Sequence, residues 1–354
     1  MTATVRSDIS FTLVEATGPP PRAATLQLSY VLPLATTDGE DVSELAAYLR
    51  SLAAKVADVI VVDGSAAAVR RRHRKAFGPE VRTLVPEDRT KNGKVGNVCT
   101  GIRAARFEHV VIADDDVRYR PEQLVELDRR LGEAAVVRPQ NSFEPLPWHA
   151  RVDTARTLLA RATGGDWPGT LAVRRSAVLA AGGYRGDVLF ENLELVRTVR
   201  AAGGREHVAL DIVVPRLPPT TAHFGRQQVR QAYDELARPG RLAVSLAVLP
   251  AVAALARRRR WLLLAAAGGT VTAAAEAGRR RAGGRDHFSV GAVPLAPPWL
   301  VWRSICTWVA LGSWLRGGAP YRGDRLRVAA SSRREVRRLV EAAGRCRKGL
   351  PAPR

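Results

Sequence analysis

The sequence predicts an α/β fold: a doubly wound, mostly parallel sheet followed by an α-helical, membrane-associated C-terminal region. Three observations lead there. From residue 26 to residue 160, short runs rich in β-branched residues alternate with helical patterns, and strands joined by helical crossovers form parallel sheets. The residues that end those runs are polar and chemically specific, as expected where ligands bind beyond the carboxyl ends of strands. Beyond residue 240 the chain turns to apolar stretches bounded by arginine blocks.

Taken in order, residues 1–25 have no sustained period and contain the Pro19-Pro20-Pro21 run, which predicts a mobile leader. They also lack the apolar core of a secretion signal. Strands are expected over Leu26 to Leu34, Val59 to Val62, Val81 to Val85, His109 to Ala113 and Ala135 to Arg138. Helices are expected between them, over Val42 to Val56, Ala66 to Phe77, Val95 to Ala105 and Pro121 to Gly132. The α/β domain is therefore placed at 26–240, an apolar helical region at 241–330 and a basic tail at 331–354.

With 354 residues of which 46% are hydrophobic, the chain has ample material for a core, which excludes a disordered chain. Its three cysteines, Cys99, Cys306 and Cys346, are too scattered for a zinc site or a disulfide framework and point to a reducing compartment. Net charge is +21, yet residues 241–354 carry 22 basic and 5 acidic side chains. The first 240 residues hold only +4 of the total. Arginine blocks beside apolar stretches suit anionic lipid head groups, so no nucleic-acid partner is expected. Arginine outnumbers lysine 50 to 5, and part of the basicity is compositional drift.

The strand ends carry the chemistry. Asp114-Asp115-Asp116 closes the fourth run, and three adjacent carboxylates oppose one another's ionisation unless a cation compensates. Alternate residues of an extended tip share a side, so Asp114 and Asp116 are candidate hard-oxygen ligands for Mg²⁺ or Mn²⁺, with Asp115 turned elsewhere, toward a sugar. The alternative is a solvated acidic turn. Asp63 ends the second run and is placed to accept hydrogen bonds from a ribose or base, although Asp-Gly is also an ordinary turn. Lys94, in a loop opening a helix whose amide groups favour an anion, is placed to neutralise a pyrophosphate.

These residues carry a resemblance. Tyr30-Val31-Leu32-Pro33, Val61-Val62-Asp63-Gly64-Ser65, Lys94 with its helix and Asp114-Asp115-Asp116-Val117, in this order, resemble a family 2 glycosyltransferase of the glycosyltransferase-A fold, the nucleotide-diphospho-sugar transferase type. Downstream, Gly169 to Arg175 with Gly182-Gly183-Tyr184 resembles the family's acceptor-side segment. Phe190-Glu191-Asn192-Leu193-Glu194-Leu195 is similar to its Glu-Asp motif, and Gln227-Gln228-Val229-Arg230-Gln231 to its Gln-x-x-Arg-Trp motif. The resemblance covers residues 26–235 and extends loosely to membrane-associated members that act on lipids.

It implies that Asp63, Lys94, Asp114 and Asp115 bind the nucleotide sugar, that Asp114 and Asp116 hold a divalent cation on the diphosphate, and that Gln227 and Arg230 serve the diphosphate or the acceptor. His223, just before that helix, is a further candidate for the metal shell. The family's usual base position is occupied by Asn192, which cannot accept a proton as a carboxylate does. Glu191 is then the favoured base, with Glu194 and an impaired enzyme as alternatives. The tryptophan of the last motif is replaced by Gln231, which loosens the link to processive synthesis. The implied activity is an inverting transfer to a lipid-linked or amphiphilic acceptor at the cytosolic membrane face. The alternative is a non-catalytic module that holds a nucleotide sugar or a protein partner.

In the last third, Leu242 to Ala256 and Trp261 to Ala275 are apolar stretches of 15 residues each, short of the ~20 a spanning helix needs. They are expected to re-enter, bending at Pro250 and Gly268-Gly269, or to lie in the interface, the alternative being a pair of core helices. Ala292 to Leu315, with Trp299, Trp302, Trp308 and Trp314, suits the head-group boundary. From Ser331 a basic amphipathic helix is expected, with Val336, Leu339 and Val340 on one side.

Overall fold

The computed structural model describes residues 25–321 and 323–348, so the expected leader lies outside the described residues except for Thr25. The first half of the chain runs β1 (Leu26–Leu34), α1 (Ser43–Ala53), β2 (Val56–Asp63), α2 (Ala67–Phe77), β3 (Arg82–Leu84), α3 (Gly93–Ala104), β4 (His109–Ala113), α4 (Pro121–Leu131), β5 (Val136–Phe143) and α5 (Trp148–Ala162). It continues through β6 (Thr170–Arg174), α6 (Arg175–Ala180), α7 (Glu191–Ala201), β7 (Glu206–Arg216), α8 (Thr221–Tyr233), α9 (Pro239–Arg257), α10 (Trp261–Arg280) and α11 (Ala296–Leu315). A hairpin of β8 (Ala319–Tyr321) and β9 (Asp324–Leu326) and the helix α12 (Arg333–Lys348) complete it.

Seven strands form one sheet in the order β3-β2-β1-β4-β6-β5-β7. The pairs β3/β2, β2/β1, β1/β4 and β5/β7 are parallel, and β6 runs antiparallel to both neighbours. Side chains alternate across the sheet. Leu28, Tyr30, Leu32 and Leu34 of β1 meet Leu45 and Leu49 of α1 and Leu124 and Leu127 of α4 on one face. Val31 of β1, Ile60 of β2 and Ile112 of β4 meet Val98 and Ile102 of α3 and Leu195 and Val199 of α7 on the other. This is the doubly wound α/β architecture, and all five expected strands and four expected helices are present.

The expected fifth strand continues beyond Arg138 through Pro139-Gln140-Asn141, where polar residues end the apolar pattern. Their side chains are satisfied internally. Gln140 is fully buried and accepts from the Asp166 amide at 2.8 Å, while Asn141 accepts from Gly169 N and donates to Val214 O.

The C-terminal helices differ from expectation in two ways. Pro250 and Gly268-Gly269 do not bend the chain: α9 and α10 are continuous helices of 19 and 20 residues, joined at the exposed Arg258 to Arg260. They are not core helices either. In α9 only Ser245 is buried, and Trp261, Leu262 and Leu263 at the start of α10 are 61%, 87% and 54% exposed. Among the described residues α9 alone is long and apolar enough to cross a membrane. The second half of α10 lies on α5, where a Cβ on Gly278 would stand 1.9 Å from Leu158 O.

The tryptophans of α11 divide between two faces. Trp299 is buried with Ala155, Leu158 and Phe288, while Trp302 and Trp308 are each 44% exposed. Nor is α12 a free tail: Val336 is buried, Glu335 pairs with Arg185, and the preceding Ser331 N donates to Glu194 at 2.7 Å.

Candidate active site

A cleft of about 460 Å³ opens beyond the carboxyl ends of β1 and β4, walled by α7 and α8. The end of β4 is held by Asp114 N donating to Gly169 O at 2.8 Å. Gly169 sits there because of space: a Cβ would come within 2.7 Å of Asp114 Oδ2 and 3.1 Å of Arg216 Cζ. On the opposite wall α3 begins at the buried cap Asn92, whose Oδ1 accepts from Lys94 N at 3.2 Å and from the Tyr321 hydroxyl at 2.9 Å. Asn92 Nδ2 donates to Val188 O, tying the approach to α7 to the start of α3.

These supports bring five charged groups together. Lys94 Nζ lies 2.6 Å from Asp114 Oδ1 and 2.7 Å from Glu191 Oε1. Arg216, at the end of β7, places Nε 2.8 Å from Asp116 Oδ2 and Nη2 3.7 Å from Asp114 Oδ2. Burial works against the Lys94 ammonium, but the charges of Asp114 and Glu191 more than offset it and hold its pKa above the ordinary lysine range. Arg216 is likewise held up by Asp116 and Asp114 against its burial. Desolvation raises Asp116, with Arg216 opposing. Asp115 is exposed along the cleft, where desolvation and then the Asp116 and Asp114 charges push it up to about 6.

The carboxylates fit a hard divalent cation in one specific respect: Asp116 Oδ1 is buried and has no hydrogen-bond partner. The other three oxygens of the pair face Lys94 and Arg216. Among the described residues no three His, Cys, Asp or Glu side chains already converge on a metal position.

The cleft continues inward between α5, α8 and α11. There Arg156 bridges Asp153 at 3.1 Å and Asp166 at 2.5 Å. Glu235 is paired with Arg241 at 3.0 Å and Arg238 at 3.3 Å. Burial pushes Asp234 up to about 7, with Arg238 and Arg230 opposing. Arg303 of α11 closes the inner end.

The sequence candidates separate accordingly. Lys94, Asp114, Asp115, Asp116, Glu191, His223, Gln227 and Arg230 all line the cleft, as do Asn192 and Gln231. Asp63 does not. Its carboxylate is fully buried, 2.7 Å from His73 Nδ1, and accepts from Ser65 N at 2.9 Å, which holds the loop after β2. Glu194 is also off the cleft, bonded to Ser331 on the side of α12, which removes it as an alternative base. Asn192 donates to Pro168 O at 2.9 Å and so fixes the wall beside Glu191.

Sequence reasoning missed Arg216, which ends β7, a strand outside the five expected ones. It also missed Asp234 and Arg303, which no local pattern distinguishes from surface charges.

The profile of the family described as "Glycosyltransferase like family 2" matches residues 40–234. No curated protein matches the sequence. Among solved structures, the chain is similar to the mannosyltransferase PcManGT from Pyrobaculum calidifontis in complex with GDP-Man and Mn²⁺, at 16% identity and TM-score 0.46, covering 94% of this chain and 92% of that one. Glucosyl-3-phosphoglycerate synthase from Mycobacterium tuberculosis is similar at 19% identity and TM-score 0.40, over 58% of this chain and 78% of that one. TarS from S. aureus is similar at 14% identity and TM-score 0.39, over 59% and 40%.

Proposed function

Because the chain belongs to the glycosyltransferase-like family 2, we propose that its cleft transfers a sugar from a nucleotide-diphosphate donor to an amphiphilic, lipid-like acceptor, with inversion, at the cytosolic face of a membrane. The observation that carries this reading is the convergence of Asp114, Asp116, Lys94, Arg216 and Glu191 in one cleft at the strand ends. Asp114 and Asp116 would hold Mg²⁺ or Mn²⁺, which supplies positive charge to a departing diphosphate.

The chain's own groups do the rest. Lys94 and Arg216 flank the carboxylates and present fixed positive charge to the donor phosphates. Phosphates that draw Lys94 toward themselves release Glu191 Oε1 from its ion pair. Glu191, at the first turn of α7 and facing the cleft, then accepts the acceptor proton. Gln227 and Arg230, one turn apart on α8, border the acceptor side.

Membrane association rests on the apolar side chains left uncovered. Val244, Leu262, Leu263, Ile305, Val309 and Leu315 are 38% to 87% exposed, and Leu262 and Leu263 follow directly on the exposed Arg257 to Arg260 block. Exposed apolar surface beside clustered arginines suits an anionic lipid surface.

The test is nucleotide-sugar consumption by detergent-solubilised protein over a donor panel with a membrane lipid extract, with Mn²⁺ or chelator, for wild type and Glu191→Gln. Metal-dependent turnover that disappears in Glu191→Gln is expected. Donor binding without turnover under every condition overturns the enzyme reading in favour of a binding module, with Asn192 at the base position as the reason.

A further inference from the structure

One uncharged side chain of the cleft is held rigidly with its donors used and its acceptor free. Asn97 lines the cleft, is 5% exposed and sits on α3 one turn after Lys94. Its Nδ2 donates to Leu34 O at the end of β1 and to Val62 O in β2, each at 3.0 Å. Both contacts are carbonyl oxygens, so the amide cannot turn over without setting oxygen against oxygen, and the place of Oδ1 is fixed. Oδ1 accepts no hydrogen bond among the described residues and is the polar atom this side chain leaves to the cleft. A ligand that displaces water from it must bring a donor in return, because an acceptor buried unmet is costly.

The surroundings hold that oxygen in place and leave room beside it. Leu34 O also accepts from Gly64 N at 2.8 Å, so the two strand ends and the amide form one bonded unit. The loops that follow are pinned together: Thr36 N donates to Ser65 Oγ at 2.9 Å, and Thr36 Oγ1 lies 3.3 Å from His73 Nε2, whose Nδ1 is 2.7 Å from Asp63 Oδ2. Gly64 supplies the room. A Cβ there would stand 3.3 Å from Asn97 Nδ2, 3.4 Å from Oδ1 and 3.7 Å from Ala35 Cβ, and Ala35 lines the cleft with Pro33 and Leu34.

We infer that Asn97 Oδ1 is a specificity-determining acceptor for the nucleoside of the donor, taking a hydrogen bond from a ribose hydroxyl or a base N–H. The inference rests on the transferase reading and adds to it the residue that reads the nucleotide beyond its phosphates. Position selects the nucleoside. The sheet order places β2 and β1 beside β4, and an amide bonded to the ends of β1 and β2 stands one and a half strands, about 7 Å, from the end of β4 that carries Asp114 and Asp116. A nucleoside lies at that reach from the diphosphate it carries, and Lys94, one turn earlier on the same helix, stands at the phosphate end. Chemistry selects the group. With both amide hydrogens committed to carbonyls, a ligand atom that can only accept is repelled at Oδ1, whereas an N–H or O–H is taken. Asp63, bonded to His73, holds the loop that frames this subsite.

Calorimetry on the full chain in mild detergent with Mn²⁺ finds which of UDP, GDP, CDP and ADP binds most tightly, and then measures the 2′-deoxy, 3′-deoxy and base-N-methylated forms of that nucleotide. In wild type one of these three changes is expected to weaken binding about tenfold or more, and in Asn97→Leu the same change is expected to cost less than about twofold. Loss against a deoxy form identifies a ribose hydroxyl as the donor group, and loss against the methylated form identifies the base N–H. A methyl group that merely collides with the wall keeps its cost in the variant, which overturns the assignment. Gly64→Ala crowds the amide while leaving its hydrogen bonds in place, and is expected to reduce the same discrimination about threefold or more; it decides the matter where Asn97→Leu fails to fold. Unchanged discrimination in the folded variants, with the nucleotide still bound, overturns the role of Asn97 and leaves the transferase reading standing. Folded wild type that binds none of the four nucleotides overturns the transferase reading and the nucleoside subsite with it.

Discussion

Replacing Lys94 with methionine keeps the length of the side chain and removes the cation that joins Asp114 to Glu191. The three side chains are 21%, 22% and 10% exposed, and both contacts are under 2.8 Å. Taking one partner from a buried ion pair costs about 3–5 kcal/mol, because the other charge stays buried and unpaired. Two features reduce this: water reaches part of Asp114, and Arg216 Nη2 remains 3.7 Å from its other oxygen. A loss of about 2–3 kcal/mol follows. For 354 residues the unfolding entropy is about 0.7 kcal/mol/K, so the melting temperature should fall by about 3–4 °C. The same substitution frees Asp114 Oδ1, so Mn²⁺ should raise the melting temperature of Lys94→Met more than that of wild type. Differential scanning fluorimetry with Mn²⁺ or chelator measures both effects. An unchanged melting temperature, or an identical metal response, refutes the idea that Lys94 holds a position a metal or a phosphate competes for.

Gly169→Ala places a methyl 2.7 Å from Asp114 Oδ2 and must turn that carboxylate away from its partners, so transfer should fall about tenfold or more while the circular dichroism spectrum stays unchanged. Glu194→Gln should leave turnover intact and weaken the anchoring of α12 by about 1 kcal/mol, read as faster proteolysis near Ser331. Asp234, raised to about 7, holds a proton in the folded protein that the unfolded chain has already released. Its stabilising contribution is therefore present below pH 4 and is lost as pH rises through about 7. The charged groups interacting with it are Arg238 and Arg230, which favour its ionised form, Glu191, which opposes it, and Arg303, which favours it. Thermal unfolding should therefore show wild type losing stability relative to Asp234→Asn between about pH 4 and pH 7, and an unchanged difference across that range refutes the raised pKa. Gly278→Leu should drive α10 off α5, since even a Cβ there stands 1.9 Å from Leu158 O, and raise exposure of this region in hydrogen exchange.

Legibility in the sequence followed the range of the forces involved. β1 to β4 and their helices were readable because their apolar alternation and their polar ends lie within a few residues of each other. The carboxylates at Asp114 and Asp116 announced themselves by crowding, which local sequence displays. A strand-end acid such as Asp63 looks the same in sequence whether it faces a ligand or a histidine ten residues along, and only the fold brings His73 to it. Arg216 and Asp116 lie 100 residues apart, and no spacing rule reaches that far. β5 was cut short because the buried Gln140 and the half-buried Asn141 read as a strand end, when their amides are satisfied by segments that arrive much later in the chain.

The last third makes the same point from the opposite side. Composition marked α11 as a head-group segment, yet its period matters more than its content. Trp299, Arg303, Cys306 and Ala310 recur at helical spacing on the buried face, and Trp302, Ile305 and Val309 on the outer one. A single helix thus turns an arginine into the cleft and tryptophans toward an apolar surface. Because the inner wall of the cleft is also the inner face of these apolar helices, substitutions on α11 should change acceptor affinity, whereas the donor groups at the ends of β4 and β7 and on α3 stand on separate elements and should be unaffected.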